Sequence, residues 1–392
     1  MIAWEIFFLD KLRKKIKTEP QSDNTRQAVA LDKIKRGIKL FIFLTVISFC
    51  AVFYFTASSE SAQALSRIHI NYLILAISLG LLNHFWSCCQ LYILIKKLEP
   101  NYRFIDTCQA TFGNMFMAAI TPTQSGGGPM QLILLKSKGL SFPKAIGAGF
   151  MQFLASVSFL FISILFLYLT QNQTIQNENI SYLLNYGLVV MTGLGAIFIL
   201  AILKPEAILR AVRIIAQFLA RITPDRYDAR IRRASEKLCL GIKESHCSIM
   251  LFLRKGKLAI AGSILFASGS MVTKFIIAYV IIIAFGYEAP FLKVINIQII
   301  LNFLIYFAPS PGASGVAEFG SAILMGMIVP KHFLGVFTVL WRLFTTFIGV
   351  GFGGLVILRF VAKFERNLVM ITSRSSHAPQ GENNDDKILS NK

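Results

Sequence analysis

Thr121-Pro122-Thr123-Gln124-Ser125-Gly126-Gly127-Gly128-Pro129-Met130-Gln131 interrupts an apolar stretch where an unbroken membrane helix would carry no such run of proline and glycine. Far downstream, Ala308-Pro309-Ser310-Pro311-Gly312-Ala313-Ser314-Gly315-Val316-Ala317-Glu318 does the same. At a fixed offset of 187, Pro122 falls on Pro309, Gly128 on Gly315, Gly139 on Gly326, Pro143 on Pro330 and Lys144 on Lys331. Five ungapped identities of these residue types point to two copies of one module, with the breaks as its working parts.

The surrounding composition defines the solvent. Hydrophobic residues make up 55% of the 392-residue chain, and mean hydropathy is +0.60. Several continuous apolar runs exceed the roughly 18 residues that mark a spanning helix, and they do not alternate as barrel strands would. The formal net charge is +20. Lys and Arg crowd the N-terminus and the segment after Leu203, so the positive-inside rule accounts for them, and no nucleic-acid partner is expected. The six cysteines show no CxxC spacing and read as small apolar fillers. No cleavable signal peptide is evident in the first 39 residues.

Residues 1–37 form a basic cytosolic arm, either lying on anionic lipid through Trp4, Phe7, Phe8 and Leu12 or simply solvated. Full spans are expected at 38–57, 70–95, 144–170, 182–203, 258–286 and 333–358. Two segments are too short to cross. At 1.5 Å per residue, the 17 residues of 104–120 reach about 25 Å, below the roughly 30 Å hydrocarbon core. After the break, 130–138 is shorter still, and Lys136, Lys138 and Lys144 all favour the cytosol. A re-entrant hairpin meets both constraints. The second copy repeats it with 291–307 and 319–329.

Segments 58–69 and 172–181 are poor in Lys and Arg and suit the outside. The segment 204–257 holds thirteen Lys/Arg against five Asp/Glu and is placed in the cytosol. Its first part is amphipathic, with Ile208, Leu209, Val212, Ile215 and Leu219 on one face, as in a helix resting on headgroups. Three full spans separate the hairpins, so they enter from opposite faces. The expected fold is an all-α polytopic membrane protein, six full spans plus two re-entrant helical hairpins in an inverted repeat. The membrane domain covers 38–360, with repeat one at about 104–170 and repeat two at about 291–358; 361–392 is a polar cytosolic tail.

Non-helical backbone at membrane depth survives only inside protein or beside water, because each unpaired backbone group costs several kcal/mol in hydrocarbon. The breaks therefore imply a polar cavity. Helices restarting near Pro129–Met130 and Gly315–Val316 would point N–H groups and positive dipole ends into it, which favours anions. Gln131 and Glu318 take matching places after each break. The competing reading is that glycines merely let two hairpins pack closely.

Three charges lie at depth: Lys274, Arg342 and Glu318. Such charges pair or line cavities. Arg342 or Lys274 is the natural partner of Glu318, in a structural ion pair or in contact with substrate. The candidate binding set is Pro122, Gly126, Gly127, Gly128, Gln131, Pro309, Pro311, Gly312, Gly315, Glu318, Arg342 and Lys274. His84 reads as hydrogen-bonded packing, and Asp106 and Lys293 as structural. The five histidines show no metal spacing and no nucleotide loop is present, so neither cofactor, metal nor catalytic residue is expected.

The two motifs, TPTQSGGGPMQLILLKSKGLSFPKA and FAPSPGASGVAEFGSA, resemble those of flippase-like integral membrane proteins, similar to the transmembrane region of lysylphosphatidylglycerol synthase, the multiple peptide resistance factor. The resemblance covers about residues 37–360. It implies a bacterial inner-membrane protein that moves lipids between leaflets. It also implies roles for Pro309, Pro311, Gly312, Gly315 and Glu318, and for Pro122, Gly126, Gly127 and Gln131. Members often carry an acidic residue where Gln131 stands. The sequence also ends without the aminoacyl-transfer domain, so lysine transfer is not expected. The expected function is movement of an anionic phospholipid or lipid-linked glycan. Two alternatives stand: a proton-coupled solute transporter using Glu318, and a non-transporting partner of a lipid-modifying enzyme.

Overall fold

The computed structural model describes residues 69–170, 178–222 and 228–376, with residues 39, 42–47 and 49–54 nearer the N-terminus. The basic arm, most of 58–69 and residues 377–392 lie outside the described residues. Every described element is helical. After a short apolar helix at Ile42–Tyr54 come α1 (Ile70–Leu98), α2 (Phe104–Ile120), α3 (Gly127–Ser137), α4 (Phe142–Leu169), α5 (Glu178–Leu203), α6 (Pro205–Ile222), α7 (Asp228–Lys255) and α8 (Lys257–Ala284). Then follow α9 (Phe291–Tyr306), α10 (Val316–Met325), α11 (Lys331–Arg342) and α12 (Ile348–Ser376).

Four helices are long and apolar enough to cross a membrane: α1, α4, α8 and the continuous run Lys331–Ala362. Within that run, Leu343–Phe347 forms one π-turn between α11 and α12, a local widening often found at functional sites. Of the other two expected spans, 38–57 is described only in part. The other, within α5, belongs to a helix pair bent by 90°, Asn185–Leu200 with Pro205–Phe218. Counting that pair as one span brings the total to five.

Small residues bring the long helices together, as expected where lipid offers no hydrophobic driving force between them. In the antiparallel pair α1–α8, Gly269 lies against the Trp86 ring and Gly262 against Ile93. Ser270 Oγ donates to Asn83 Oδ1 at 2.7 Å in the same seam. On the other side α12 runs along α2, where Gly353 leaves no room for a methyl against the Phe112 carbonyl.

The short helices pair off as hairpins. Leu134 of α3 fills the space beside Gly113 of α2, and Lys138 reaches back to Asp106 at 2.9 Å. Tyr102 donates to the Leu135 carbonyl at 3.1 Å; burial, then the Asp106 charge, pushes its phenol up to about 12 and keeps it a donor. A Schellman turn closes α3, with Gly139 at φ +97°. There the Leu140 and Gly139 amides donate to the Leu135 and Lys136 carbonyls at 3.2 and 3.0 Å. In the second pair, Leu301 of α9 meets Gly320 of α10 at 3.1 Å.

The tail differs from expectation. Residues 361–376 continue α12 as helix rather than unstructured chain, because no Gly or Pro interrupts them and extending an existing helix avoids nucleation. The basic segment 204–257 is two helices, α6 and α7, packed together. Within α6, Leu209 is buried, whereas Ile214, Ile215 and Phe218 are exposed. Ile215 therefore does not share the Leu209 side, and the outward face is the one left for lipid.

Candidate functional site

The two breaks repeat one backbone path. Pro122–Gln124 and Pro311–Ala313 are single 3-10 turns. Thr123 and Gln124 have φ 53° and 57°; Gly312 and Ala313 have φ 58° and 56°. Left-handed backbone costs a residue with a Cβ about 1–2 kcal/mol, so matched use of it at both sites marks a specified shape. The local offset is 189: Pro122 matches Pro311, Ser125 matches Ser314, and Gly127 and Val316 start the next helices. The offset of 187 survives at the starts of α2 and α9. Helix starts therefore correct the equivalences read from sequence. Gln131 corresponds to Gly320 and Glu318 to Pro129, so the two polar residues do not occupy matching places.

The breaks touch. The Thr123 amide donates to the Pro309 carbonyl at 3.1 Å, and Gln124 Nε2 donates to the Ile305 carbonyl at 3.4 Å. Thr45 Oγ1 and Ser314 Oγ lie 2.9 Å apart, tying in the N-terminal helix.

Glu318 is 0% exposed and Arg342 2%. Arg342 Nε donates to Glu318 Oε1 at 3.0 Å, and Arg342 Nη2 donates to the Gly312 carbonyl at 2.9 Å. Its guanidinium lies 5.4 Å from the centre of the Phe347 ring. Glu318 Oε2 accepts the Gly315 amide at 2.6 Å. This overturns one expectation: the α10 N-terminus is filled by its own carboxylate, as in a capping box, and does not offer that amide to a ligand.

At the first break the polar chain is neutral. Asn114 Nδ2 donates to Gln131 Oε1 at 2.5 Å, and Gln131 Nε2 to Gln152 Oε1 at 2.9 Å. Gln90 Nε2 donates to the Gln152 carbonyl at 3.1 Å and to Ser156 Oγ at 3.0 Å.

Between these two polar systems lie adjoining cavities of about 230 and 260 Å³. The smaller reaches Asn83, His84, Gln124, Gly312 and Arg342. The other reaches Gln90, Gln131, Gln152 and Tyr306. Ser87, Asn114, Met115, Ser270 and Lys274 line both and make them continuous. Among the described residues no hydrogen bond or ion pair engages Lys274, the eighteenth residue of the 28 in α8. His84 is 4% exposed, and neither ring nitrogen has a hydrogen-bond partner; it lines the cavity instead of being hydrogen-bonded packing.

Of the residues singled out by sequence, Gln131, Gly312, Arg342 and Lys274 line this space. Glu318 and Gly315 stand behind Arg342 and shape its wall. Pro122 and Gly128 are exposed, Gly127 packs against Asn114 and Ala118, and Gly126 packs on Thr121. Pro309 supplies a carbonyl to the other break, and Pro311 is buried. Sequence reasoning missed Asn83, Gln90, Asn114, Gln152 and Ser270. Their signal was present, since amides inside apolar runs face protein or water rather than lipid. A further cavity of about 350 Å³, lined by Arg213, Glu236 and Lys243, lies between α6 and α7, apart from both breaks. Among the described residues no group of three or more His, Cys, Asp or Glu could hold a metal ion.

Long apolar helices around a polar, charge-bearing interior define an integral membrane protein of the polytopic helical class. The chain belongs to the lysylphosphatidylglycerol synthase TM region family, whose profile matches residues 38–353. It is also similar to a UPF0104 membrane protein of Archaeoglobus fulgidus, 27% identical over 336 residues, which cover 81% of this chain and 94% of that protein.

Proposed function

We propose that this protein moves an anionic phospholipid or lipid-linked glycan between leaflets, with the headgroup held between the two broken hairpins. The observation that carries this reading is Lys274, an unpaired cation lining both halves of a polar cavity between apolar helices. A charge in that setting calls for an anion. The hairpins would be re-entrant copies of an inverted repeat among six full spans, with both termini in the cytosol of a cell whose inner membrane holds the protein. Leaflet exchange would follow alternating access around the fixed site, with acyl chains left in the bilayer. The energy would come from a gradient, from the lipid's own imbalance or from a partner.

The proton-coupled alternative would need Glu318 to exchange protons. Both its oxygens are engaged, one by Arg342 and one by the Gly315 amide, which favours a fixed structural pair over a carrier. In proteoliposomes, head-labelled phosphatidylglycerol in the inner leaflet should become accessible to an external quencher faster than in protein-free vesicles. Equal rates for phosphatidylglycerol and every other phospholipid tried, matching protein-free vesicles, would remove this function.

A further inference from the structure

The cavity has two chemically different walls, and the difference restricts what fits. On one side stand the cations Lys274 and Arg342, with His84 behind them offering two ring nitrogens without partners. On the other stand Gln90, Asn114, Gln131, Gln152 and Ser156, neutral and hydrogen-bonded into one another. Gln90 spends both Nε2 hydrogens on Gln152 and Ser156, which leaves its Oε1 without a donor among the described residues. No carboxylate lines either half. The acid closest to hand, Glu318, is fully buried and spent on Arg342 and Gly315.

We infer that the site takes a phosphodiester bearing neutral hydroxyls and turns away headgroups that carry an ammonium. Phosphate sits at Lys274, whose compact ammonium is a point charge suited to it. Hydroxyls sit against the amide wall, which offers donors and acceptors in fixed positions. An aminoacylated headgroup brings a second cation into a space already holding two, with no free carboxylate to receive it. Burying an unpaired charge beside like charges is the costliest arrangement available to it. The selectivity follows from what the cavity lacks as much as from what it holds.

The inference rests on the proposed role of this cavity, but binding alone tests it. The full-length protein in detergent is equilibrated with equimolar phosphatidylglycerol and lysylphosphatidylglycerol, and retained lipid is counted by native mass spectrometry. Phosphatidylglycerol should be retained about tenfold over the lysyl form. Lys274→Gln should erase most of that preference, and Lys274→Glu should turn it towards the lysyl lipid. Equal retention by the wild-type protein overturns the inference and needs no variant to do so. So does an unchanged preference in a folded Lys274→Glu protein. Displacement of the lipid by free glycerol 3-phosphate overturns the lipid assignment in favour of a soluble phosphate ester. Selective binding without transport would remove the proposed function and leave this selectivity standing; transport of both lipids alike would do the reverse.

Discussion

The two breaks share a backbone path and differ in what fixes it. At the second break a buried carboxylate caps the helix it begins and holds an arginine from the π-turned helix, which in turn holds the Gly312 carbonyl. At the first break Pro122, Thr123 and Ser125 are exposed, and the neighbouring chain of amides carries no charge. One copy is locked by an ion pair that cannot be loosened cheaply, while the other is held by neutral hydrogen bonds that rearrange at small cost. Duplication supplied the shape, and divergence made one half an anchor and the other an adjustable wall.

The comparison breaks most readily at Glu318. Glu318→Ala leaves Arg342 buried without its partner and the Gly315 amide uncapped, a loss of about 3–5 kcal/mol. Thermal unfolding in detergent should show it as the largest drop of any single change discussed here. Gly315→Ala comes next. Gly315 sits at φ +89° and ψ −60°, where a Cβ is strained by about 1–3 kcal/mol. Gly128→Ala, with ordinary backbone and nothing within 4 Å of the added methyl, should leave the melting temperature unchanged or slightly raised. Gln131→Glu sharpens the contrast from the other side. It places a carboxylate on the cavity shared with Lys274 and should lower retention of phosphatidylglycerol about tenfold, with little change in melting temperature. The smallest effect belongs to Asp106→Asn, which removes the partly exposed contact to Lys138 and should cost less than about 1 kcal/mol.

Much of the membrane architecture was legible in the sequence. The short helix 104–120 was read with the bounds it has as α2, because length against bilayer thickness is a strong constraint. Lys274 and Arg342 stood out for the same reason, as charges where hydrocarbon should be. The register of the repeat was less legible. Matching Gly and Pro at one fixed offset ignores where each helix begins, and the caps at Gly127 and Val316 shift the equivalence by two residues. Pairing Gln131 with Glu318 followed from that slip.

The amide wall was hidden for a different reason. Gln90, Asn114 and Gln152 come from three helices, α1, α2 and α4, and only the packing of those helices shows them to be one system. No spacing along the chain carries that information. His84 illustrates the same limit, since a lone histidine in a span reads as packing until its neighbours are known.

The central claim is that a lipid headgroup lies between the two breaks. Phosphatidylglycerol carrying a photoactivatable group on its glycerol head, cross-linked in proteoliposomes and mapped by peptide mass spectrometry, tests it most directly. The account predicts adducts on the lining segments around Asn114, Gln131, Gln152 and Lys274, lost when unlabelled phosphatidylglycerol is added in excess. Adducts confined to the outward faces of α5 and α6, with none on those segments, would contradict it.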